Sequence, residues 1–397
     1  MGRDILEKMN DLLDTPAYVF HLDQLTAHMQ LLRDKLGDYA QLCYAMKANP
    51  FLIGAMGKLV DTYEVCSQGE FRICEREKIP MERIVLSGVN IEQADIEYIL
   101  DTYGGKGKFT IESWKQLQIL EECASKRNMK IKVLIRITSG NQFGLDEQDV
   151  CKIIENRFRY NALDFKGLQY YSGTQKKKLT KIEKELQYLD KLCQLLDNQY
   201  HFKVKELEYG PGFFVSYFKN EDNADVTAVI DGFVSMLQQL QFQGKLTLEM
   251  GRFMVASCGY YFTKIIDQKR NQDQNYCIVD GGINHLNYFG QTMAMKIPKY
   301  MHIKKETQEI DSEDDIEKWN VCGSLCTVGD VLVKGLPLHK ARMNDILVFE
   351  NMGAYSVTEG IYLFLSRKLP KIYSYTTAEG MKLMRDALQT DSMNGAM

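Results

Sequence analysis

The chain has 397 residues, of which 45% are hydrophobic, and its 49 basic and 53 acidic side chains give a net charge of -4. This length is enough for two or three domains with full cores, and the balanced charge gives no reason to expect nucleic acid as a partner. The ten cysteines include no Cys-x-x-Cys pair and only six histidines are present, so neither a metal site nor a disulfide scaffold is indicated.

Residues 1–13 mix charged and apolar side chains at helical spacing, which predicts an amphipathic helix rather than a secretory signal. Leu6 stands where a myristoylation signal needs Ser or Thr. No uncharged apolar run approaches the length that crosses a membrane. These features predict a cytoplasmic protein without a membrane anchor.

Apolar runs alternate with amphipathic segments from residue 17 onward. A strand is predicted over residues 17–20, a helix over 23–36, and eight further strands over 41–46, 63–66, 84–86, 108–111, 132–137, 167–171, 206–208 and 246–249. Between two of them, a spacing of 4, 3, 4, 3 places five apolar residues on one helical face: Ile182, Leu186, Leu189, Cys193 and Leu196. Eight strands alternating with helices predict a (β/α)8 barrel. An open doubly wound sheet is disfavoured, because no Gly-x-Gly-x-x-Gly opens a helix after the first strand.

The pattern changes from about residue 263 to strand-like runs separated by turns, as at 276–279, 330–333, 345–349 and 369–373. We therefore predict a barrel domain over residues 24–262 and a mainly β, Greek-key-like barrel domain formed by residues 1–23 and 263–397. The acidic run at residues 311–315 is predicted to be a solvated loop. An amphipathic helix is predicted for the tail around residues 378–388.

Lys47 lies at the end of an apolar, strand-like run. A lysine on a rigid strand end that faces a cavity can form a Schiff base with a carbonyl cofactor, and pyridoxal phosphate is the obvious candidate. Taken alone, an exposed surface lysine is the more common case. The later segments make the difference, because each supplies another part of a pyridoxal phosphate site.

Glycine-containing turns follow the seventh and eighth barrel strands, where barrel enzymes commonly hold a phosphate. Gly210-Pro211-Gly212 follows one strand, and Glu249-Met250-Gly251-Arg252 follows the other. Glycines permit backbone amides to approach an anion closely. A carboxylate near a pyridine nitrogen keeps that nitrogen protonated, and Glu249 is the candidate for this role.

Four ordered motifs resemble those of the fold-type III pyridoxal phosphate decarboxylases, the group that contains diaminopimelate, ornithine and arginine decarboxylases. The motifs are Tyr44-Ala45-Met46-Lys47-Ala48-Asn49-Pro50, Glu249-Met250-Gly251-Arg252, Cys322-Gly323-Ser324-Leu325-Cys326-Thr327-Val328-Gly329-Asp330 and Gly353-Ala354-Tyr355. The resemblance covers nearly the whole chain. It implies a pyridoxal phosphate-dependent α-decarboxylase with a barrel and a β-rich domain.

The resemblance also implies a role for individual residues. Lys47 would carry the Schiff base, Glu249 would pair with the pyridine nitrogen, and Glu64 would be the acid near the cofactor ring. Further cofactor contacts are implied for Arg136, Tyr171, Thr174, Gly210, Gly212, Gly251, Arg252 and Tyr355. Cys326 would enter the site of a neighbouring subunit, next to Thr327 and Asp330 on the substrate side, which implies a homodimer with shared sites.

Several positions depart from the family pattern. Tyr171 stands where the family has a histidine that stacks on the cofactor, and a tyrosine ring can make the same contact. Thr174 replaces a serine, Met250 replaces a proline, and Pro211 removes a backbone N–H from the glycine turn. Cofactor binding is expected to survive these changes.

The substrate end differs more. Thr327 stands where diaminopimelate decarboxylases have a glutamate for the distal amine, and residues 280–289 lack the arginine of those enzymes. Without these charges the distal head of diaminopimelate would be partly unpaired. The pocket motifs are similar to those of decarboxylases acting on a glutamyl group attached to an acyl carrier protein. Lys176, Lys177 and Lys178 could meet such a carrier, although a solvated lysine run is the commoner case.

Other functions remain open at this stage. They are diaminopimelate decarboxylase with an altered pocket, a racemase on a similar barrel, and a catalytically inactive relative that regulates a partner. The presence of Lys47, Glu249 and Cys326 argues against the inactive relative. The racemase is disfavoured because it would lack the Glu-x-Gly-Arg and Leu-Cys-Thr segments.

Overall fold

Helices and strands alternate along most of the chain in this computed structural model, which describes residues 13–221, 225–287, 292–305 and 315–396. Up to residue 255 the order is β1 (Ala17–His21), α1 (Leu22–Leu36), β2 (Gln41–Ala45), β3 (Thr62–Val65), α2 (Gln68–Arg76), β4 (Ile84–Leu86), α3 (Gln93–Tyr103), β5 (Lys108–Ile111), α4 (Trp114–Ser125), β6 (Ile131–Ile137), α5 (Glu147–Glu155), β7 (Leu163–Tyr171), α6 (Leu179–Tyr200), β8 (Glu206–Gly210), α7 (Val226–Leu237), β9 (Lys245–Met250) and α8 (Arg252–Val255).

The remainder is mostly strand. It contains β10 (Gly259–Asn271), β11 (Gln274–Val279), β12 (Tyr300–Ile303), β13 (Ile316–Cys322), β14 (Val331–His339), β15 (Ile346–Glu350), β16 (Lys371–Thr376), β17 (Gly380–Arg385) and α9 (Asp391–Asn394). The helix predicted for residues 1–13 and most of the acidic run at 311–315 lie outside the described residues.

The eight strands β2 to β9 pair side by side in parallel and close into a barrel. Closure places β2 between β3 and β9, with Ala45 opposite Glu64 and Cys43 opposite Glu249. The predicted (β/α)8 barrel is therefore confirmed, and each of the eight strand predictions overlaps one observed strand. Because all eight strands run the same way, their carboxyl ends meet at one face.

Four helices around the barrel begin at a capping side chain. The first turns of α2, α4, α5 and α7 each donate a backbone N–H to a side chain: Ser67, Ser113, Asp146 and Asp225. In α6 the apolar face predicted from the 4, 3, 4, 3 spacing is buried throughout. None of the described helices combines the length and hydrophobicity needed to cross a bilayer.

The barrel interior carries charged side chains as well as apolar ones. Lys108 on β5 and Glu206 on β8 form an ion pair across it, with 2.5 Å between Nζ and Oε2 and only 10% and 18% of their side chains exposed. Arg136 on β6 pairs at 2.9 Å with Glu112, which follows β5 directly. A buried ion without a partner is costly, so the members of each pair depend on one another.

The chain divides into two compact units. One consists of His28–Val215 and Ala224–Met254 and contains the barrel; the other consists of Met1–Ala27, Ser216–Asn223 and Val255–Met397. The predicted limits at residues 24 and 262 stay a prediction about domain boundaries.

The second unit is mainly β, as predicted. Its strands pair in the order β14-β13-β11-β10-β1-β16-β17, with β15 joining β10 to β12. A buried cluster holds β1, β10, β12 and β15 together, formed by Val19, Tyr260, Phe262, Ile303, Ile346 and Val348. The pairs among the described strands of this unit do not form a closed barrel. The predicted β content is therefore confirmed, but the predicted Greek-key-like barrel is not.

The prediction of a helix around residues 378–388 was wrong. This segment forms β17, which pairs antiparallel with β16 from Ile372 opposite Arg385 to Thr376 opposite Gly380. Gly380 has a φ of +73°, a conformation that turns the chain and that a helix does not contain. The pairing energy of a sheet edge therefore overrides a local pattern that resembled a helix.

The Lys108–Glu206 pair gives a test of the barrel interior. We expect Lys108→Met to lower the free energy of unfolding by about 3 kcal/mol, because Glu206 would be left as an unpaired, partly buried charge. The double variant Lys108→Met/Glu206→Gln should recover most of this loss, since neither ion is then present. Denaturant unfolding of both variants measures the difference. Equal destabilisation in the single and double variants would contradict it.

Candidate active site

Lys47 follows β2 directly, in a 3-10 turn formed by Met46–Ala48. The next turn is held by Asn49, whose side chain accepts the backbone N–H of Phe51 and whose carbonyl accepts the Tyr44 hydroxyl at 2.8 Å. Asn49 and Tyr44 are fully buried. The lysine backbone is therefore held rigidly at the carboxyl end of the barrel.

The Lys47 amine lies among acidic and thiol groups from neighbouring strands. Its Nζ is 2.5 Å from Glu64 Oε2, 3.6 Å from Glu249 Oε1 and 3.7 Å from Cys66 Sγ. The Lys47 side chain is 38% exposed, whereas those of Glu64 and Glu249 are 2% and 7% exposed. The amine is thus accessible, while the two carboxylates that contact it are shielded from water.

The two carboxyls have opposite pKa shifts. Burial by itself raises the pKa of Glu64, but attraction to Lys47 and the hydrogen bond from its amine bring this pKa below the ordinary value. Burial raises the pKa of Glu249 to about 8, with a further contribution from the negative charge of Glu64. Two adjacent carboxyls in different protonation states are a common feature of catalytic sites.

Glycines form a narrow cradle beside these groups. Gly212 has a φ of +62°, and a Cβ at this position would come within 2.1 Å of the Gly173 carbonyl oxygen. A Cβ on Gly251 would be 2.8 Å from the Cβ of Ala48, so the turn after β9 lies close to the Lys47 turn. A side chain does not fit at either place without moving its neighbours, so glycine is required in both turns.

Tyr171 ends β7 beside this cradle. A Cβ on Gly210 would lie 2.5 Å from Cδ2 of the Tyr171 ring. Burial raises the pKa of the Tyr171 hydroxyl, and the charge of Glu249 raises it further. The charges of Lys47 and Arg252 and a hydrogen bond with Thr174 lower the pKa of this hydroxyl. Because these groups act on Tyr171 at short range, it lies among the other predicted cofactor residues.

Arg136 is held by partners of its own. Beyond its ion pair with Glu112, its guanidinium lies 4.7 Å from the centre of the Phe143 ring. Glu112 also accepts the backbone N–H of Gly88 at 3.0 Å. The cofactor contact implied for Arg136 stays a prediction, because these contacts give it a structural task.

Four predicted residues lie in the second unit. Cys326 and Thr327 are exposed on the loop between β13 and β14. Asp330 is buried and accepts the backbone N–H groups of Ile283 and Leu325 at 2.8 and 2.7 Å. These bonds order the loop that carries Cys326, so the substrate contact of Asp330 stays a prediction. Tyr355 is partly buried, with a φ of +66°.

Sequence reasoning missed three residues of the barrel site: Cys66, Gln169 and Glu208. Cys66 donates to Glu64 Oε1 at 3.3 Å. Gln169 Nε2 contacts Glu208 Oε1 at 2.7 Å and Glu249 Oε2 at 3.2 Å. A polar residue between apolar neighbours near the carboxyl end of a barrel strand, as at positions 169 and 208, was the signal that could have identified two of them.

The donor set fits pyridoxal phosphate. It combines a lysine amine for an aldehyde, a buried carboxyl for a pyridine nitrogen, and a side-chain-free cradle for a phosphate. No group of three or more metal-ligating side chains occurs within the described ranges.

Comparison with known proteins agrees with this chemistry. Residues 22–256 match the pyridoxal-binding domain of the pyridoxal-dependent decarboxylases. The chain is 26% identical to the L-glutamyl-(BtrI acyl-carrier protein) decarboxylase of Niallia circulans, over 90% of this chain and 88% of that protein. It is 25% identical to a diaminopimelate decarboxylase of Bacteroides thetaiotaomicron, over 91% of this chain and 96% of that protein.

A solved structure gives the same fold. The diaminopimelate decarboxylase of M. jannaschii has a TM-score of 0.85 at 20% identity and covers 98% of this chain and 94% of its own. The family match extends over more than half of the chain. This protein therefore belongs to the pyridoxal-dependent decarboxylases, carboxy-lyases that use pyridoxal phosphate.

Proposed function

We propose that Lys47 binds pyridoxal phosphate in this barrel and that the enzyme removes the α-carboxyl group of an aminoacyl substrate. The observation that carries this is the Lys47 amine, which lies 2.5 Å from Glu64 and 3.6 Å from Glu249 at the carboxyl ends of three adjacent strands. When bound, the cofactor accepts the electron pair released as the bond between the α-carbon and the carboxyl carbon breaks.

The remaining residues divide the work of holding the cofactor. Glu249 would face the ring nitrogen, the Tyr171 ring would cover one face, and the phosphate would lie in the glycine cradle. The cradle residues are Gly210, Gly212, Gly251, Arg252 and Thr174. Tyr355 and Arg136 are implied only by the family resemblance and complete the proposed set.

Two carboxyls control protons in this arrangement. The pKa of Glu249 is about 8, so this group carries a proton at neutral pH and can share it with a ring nitrogen. The pKa of Glu64 is lowered, so its Oε2 stays negative and orients the Lys47 amine. Burial of both carboxyls excludes water that would weaken these interactions.

We further propose a homodimer in which Cys326 of one chain serves the barrel of the other, next to Thr327 and Asp330. Cys326 is exposed, and the loop around it is ordered by the two hydrogen bonds that Asp330 accepts. These features support a thiol held outward for a second copy of the chain. In this role Cys326 would return a proton to the α-carbon after carbon dioxide has left.

A cytoplasmic location is part of the same proposal. All ten cysteines are free thiols, and nine of them are buried or partly buried, Cys326 being the exposed one. Free thiols of this number are typical of a reducing compartment.

The proposed substrate is an aminoacyl group, such as L-glutamyl, attached as a thioester to an acyl carrier protein. The relative from Niallia circulans acts on such a substrate by its name. Thr327 and the absence of arginine from residues 280–289 leave no distal charge partner of the kind that diaminopimelate needs. Diaminopimelate is the second candidate, since a relative of similar identity is named for it.

A basic groove on the barrel supports the proposal of a carrier-bound substrate. It has a volume of about 450 Å³ and is lined by Thr174, Gln175, Lys176, Lys177, Lys178, Thr180, Lys181 and Lys184. Lys176 is not available for a partner, because it is buried and paired with Glu185 at 2.6 Å. Lys178, Lys181 and Lys184 are exposed at the start of α6, so they can meet an acidic carrier surface.

Replacement of Lys47 tests the cofactor assignment. We expect Lys47→Ala to lose the absorbance band near ~420 nm that borohydride reduction shifts, and to lose turnover by at least about a thousand-fold. Lys126→Ala, an exposed change on the same unit, is the control. Colour and turnover that both survive in Lys47→Ala would refute the assignment. A wild-type chain without colour would support an inactive, regulatory relative.

The glycine cradle can be tested with a matched pair of glycine variants. Gly212→Ala should weaken pyridoxal phosphate binding by at least about ten-fold, because its Cβ would collide with the Gly173 carbonyl in addition to straining the backbone. Gly104→Ala introduces similar strain at a φ of +68°, but nothing lies within 4 Å of its Cβ. Titration of the visible absorbance measures affinity. Equal affinities in the two variants would show that the cradle does not hold the phosphate.

Carbon dioxide release from a panel of substrates tests the carrier proposal. The panel is L-glutamyl carrier protein, L-glutamyl pantetheine thioester, free L-glutamate, ornithine and diaminopimelate. We expect the highest kcat/KM with the carrier-bound group, because the carrier adds binding energy that a free amino acid lacks. Faster turnover of diaminopimelate would favour the second candidate instead.

The basic groove can be tested within the same panel. Lys178→Glu/Lys181→Glu should raise KM for the carrier-bound substrate by about ten-fold and leave KM for the pantetheine thioester close to wild type, because only the carrier presents an acidic surface. Lys126→Glu/Lys130→Glu, which precedes β6 at the other end of the barrel, matches the charge change. Equal effects of the two double variants would exclude the groove as the carrier site.

A further inference from the structure

Glu208 is a buried carboxyl in the barrel interior that forms no ion pair among the described residues. Lys47 pairs with Glu64, Lys108 with Glu206, and Arg136 with Glu112. Glu208 forms no ion pair with any residue that the structure describes, and only 1% of it is exposed. An ionised carboxylate at such a place is costly, so burial without a cation favours the protonated form.

Gln169 connects Glu208 to the proposed catalytic centre. Its amide nitrogen lies 2.7 Å from Glu208 Oε1 and 3.2 Å from Glu249 Oε2, so the two N–H groups can serve the two carboxyls. The β7–β8 register places Gln169 directly opposite Glu208. This amide is therefore the link between a carboxyl without a cation and the carboxyl proposed to face the cofactor ring.

Two buried oxygens in this group have no hydrogen-bond partner, Glu208 Oε2 and Gln169 Oε1. An unpaired buried oxygen on an ionised carboxylate is doubly unfavourable, because it lacks both a cation and a donor. A proton on Oε2 removes the charge and turns this oxygen into a donor. The observed contacts are thus consistent with a neutral acid at Glu208.

We propose that Gln169 and Glu208 are positioning residues for Glu249, with Glu208 held as the neutral acid and Gln169 fixing the Glu249 carboxyl through its amide. The inference rests on the proposed role of Glu249. With Glu208 neutral, Glu249 is the carboxyl of this pair that shares a proton with a ring nitrogen. An ionised Glu208 would place a second negative charge beside it, raise its proton affinity and disturb its position.

The charges around Glu208 come from several strands. Burial is the main cause that raises the pKa of Glu208 to about 7. Lys108 lowers this pKa, while Glu64 and Glu206 raise it. Cys43 on β2 also faces this group: burial raises the pKa of its thiol, and the charge of Glu208 raises it further.

The charge state is tested through the pH dependence of stability in the full chain without cofactor. A carboxyl whose pKa is higher in the folded than in the unfolded state contributes stability that is complete below the unfolded pKa and is lost as the pH rises through the folded pKa. Wild type should therefore lose stability between about pH 5 and pH 8, in part through Glu208. Glu208→Gln, a neutral side chain of the same shape, lacks this part of the loss.

We expect the unfolding equilibrium constant of Glu208→Gln, relative to wild type, to fall by at least about ten-fold between pH 5 and pH 8. Glu155→Gln, an exposed change at the end of α5, should show no such trend. If the ratio of the unfolding equilibrium constants of Glu208→Gln and wild type stays constant over this pH range, the assignment of Glu208 as a neutral acid is overturned. If Glu208→Gln does not fold, infrared absorption of the Glu249→Gln variant replaces it. A protonated buried carboxyl band that disappears as the pH rises supports the inference, and its absence at pH 5 to 6 overturns it.

The positioning role is tested by cofactor affinity and by the visible spectrum. Gln169→Met keeps the length of the side chain but removes the donor, so it should weaken pyridoxal phosphate binding by at least about ten-fold. The borohydride-sensitive band should remain, because Lys47 is intact. As the pH rises above neutral, the affinity of Glu208→Gln for pyridoxal phosphate should fall less than the affinity of wild type.

These outcomes separate the two levels of the argument. If wild type shows no borohydride-sensitive band, the proposed function fails before this inference is reached. If wild type shows the band and Gln169→Met binds the cofactor as tightly as wild type, Lys47 keeps its role and the inference about Gln169 is overturned.

Discussion

The contact between the Lys47 amine and two buried carboxyls is the interaction on which the site depends. It forms because β2 lies between β3 and β9, so the ends of three strands deliver Lys47, Glu64 and Glu249 to one place. The cation compensates the buried negative charge of Glu64, and the carboxyl keeps the amine in one orientation. Neither side chain would hold this geometry on a flexible loop. The closed barrel therefore supplies the rigidity that a reactive amine needs, while leaving the amine itself accessible.

Uneven pairing of charge gives this barrel its proton chemistry. Lys108 and Arg136 are paired with Glu206 and Glu112, so each of these two buried cations already has a carboxylate partner. The carboxyls without a full cation partner are Glu249 and Glu208, and burial raises the pKa of each. Stability and reactivity are consequently linked: the same desolvation that destabilises the ionised folded chain keeps protons available beside Lys47 at neutral pH.

The candidate site was predictable in part, for reasons that differ between residues. Lys47, Gly212 and Glu249 lie at strand ends and in glycine turns, where chemistry and chain geometry leave local signals. Gln169 and Glu208 sit within strands, and their meaning depends on which side chains face them across the barrel. Lys176 belongs to a lysine run that the sequence suggested was exposed, but it forms a buried ion pair with Glu185 on the following helix, α6. The tail was misjudged because a sheet edge, rather than local spacing, decides its conformation.

Alternation of apolar and amphipathic segments was enough to determine the (β/α)8 barrel, because strands and helices differ in the spacing of their apolar residues. The motif around Lys47 likewise determined the cofactor class, since a lysine, a carboxyl and glycine turns in barrel order suit few other groups. Only the tertiary structure decided which carboxyls are buried beside a cation, which lysines are exposed and which amide joins Glu208 to Glu249. These properties depend on burial and on contacts between residues far apart in the chain, and desolvation has no local signature in an amino-acid sequence.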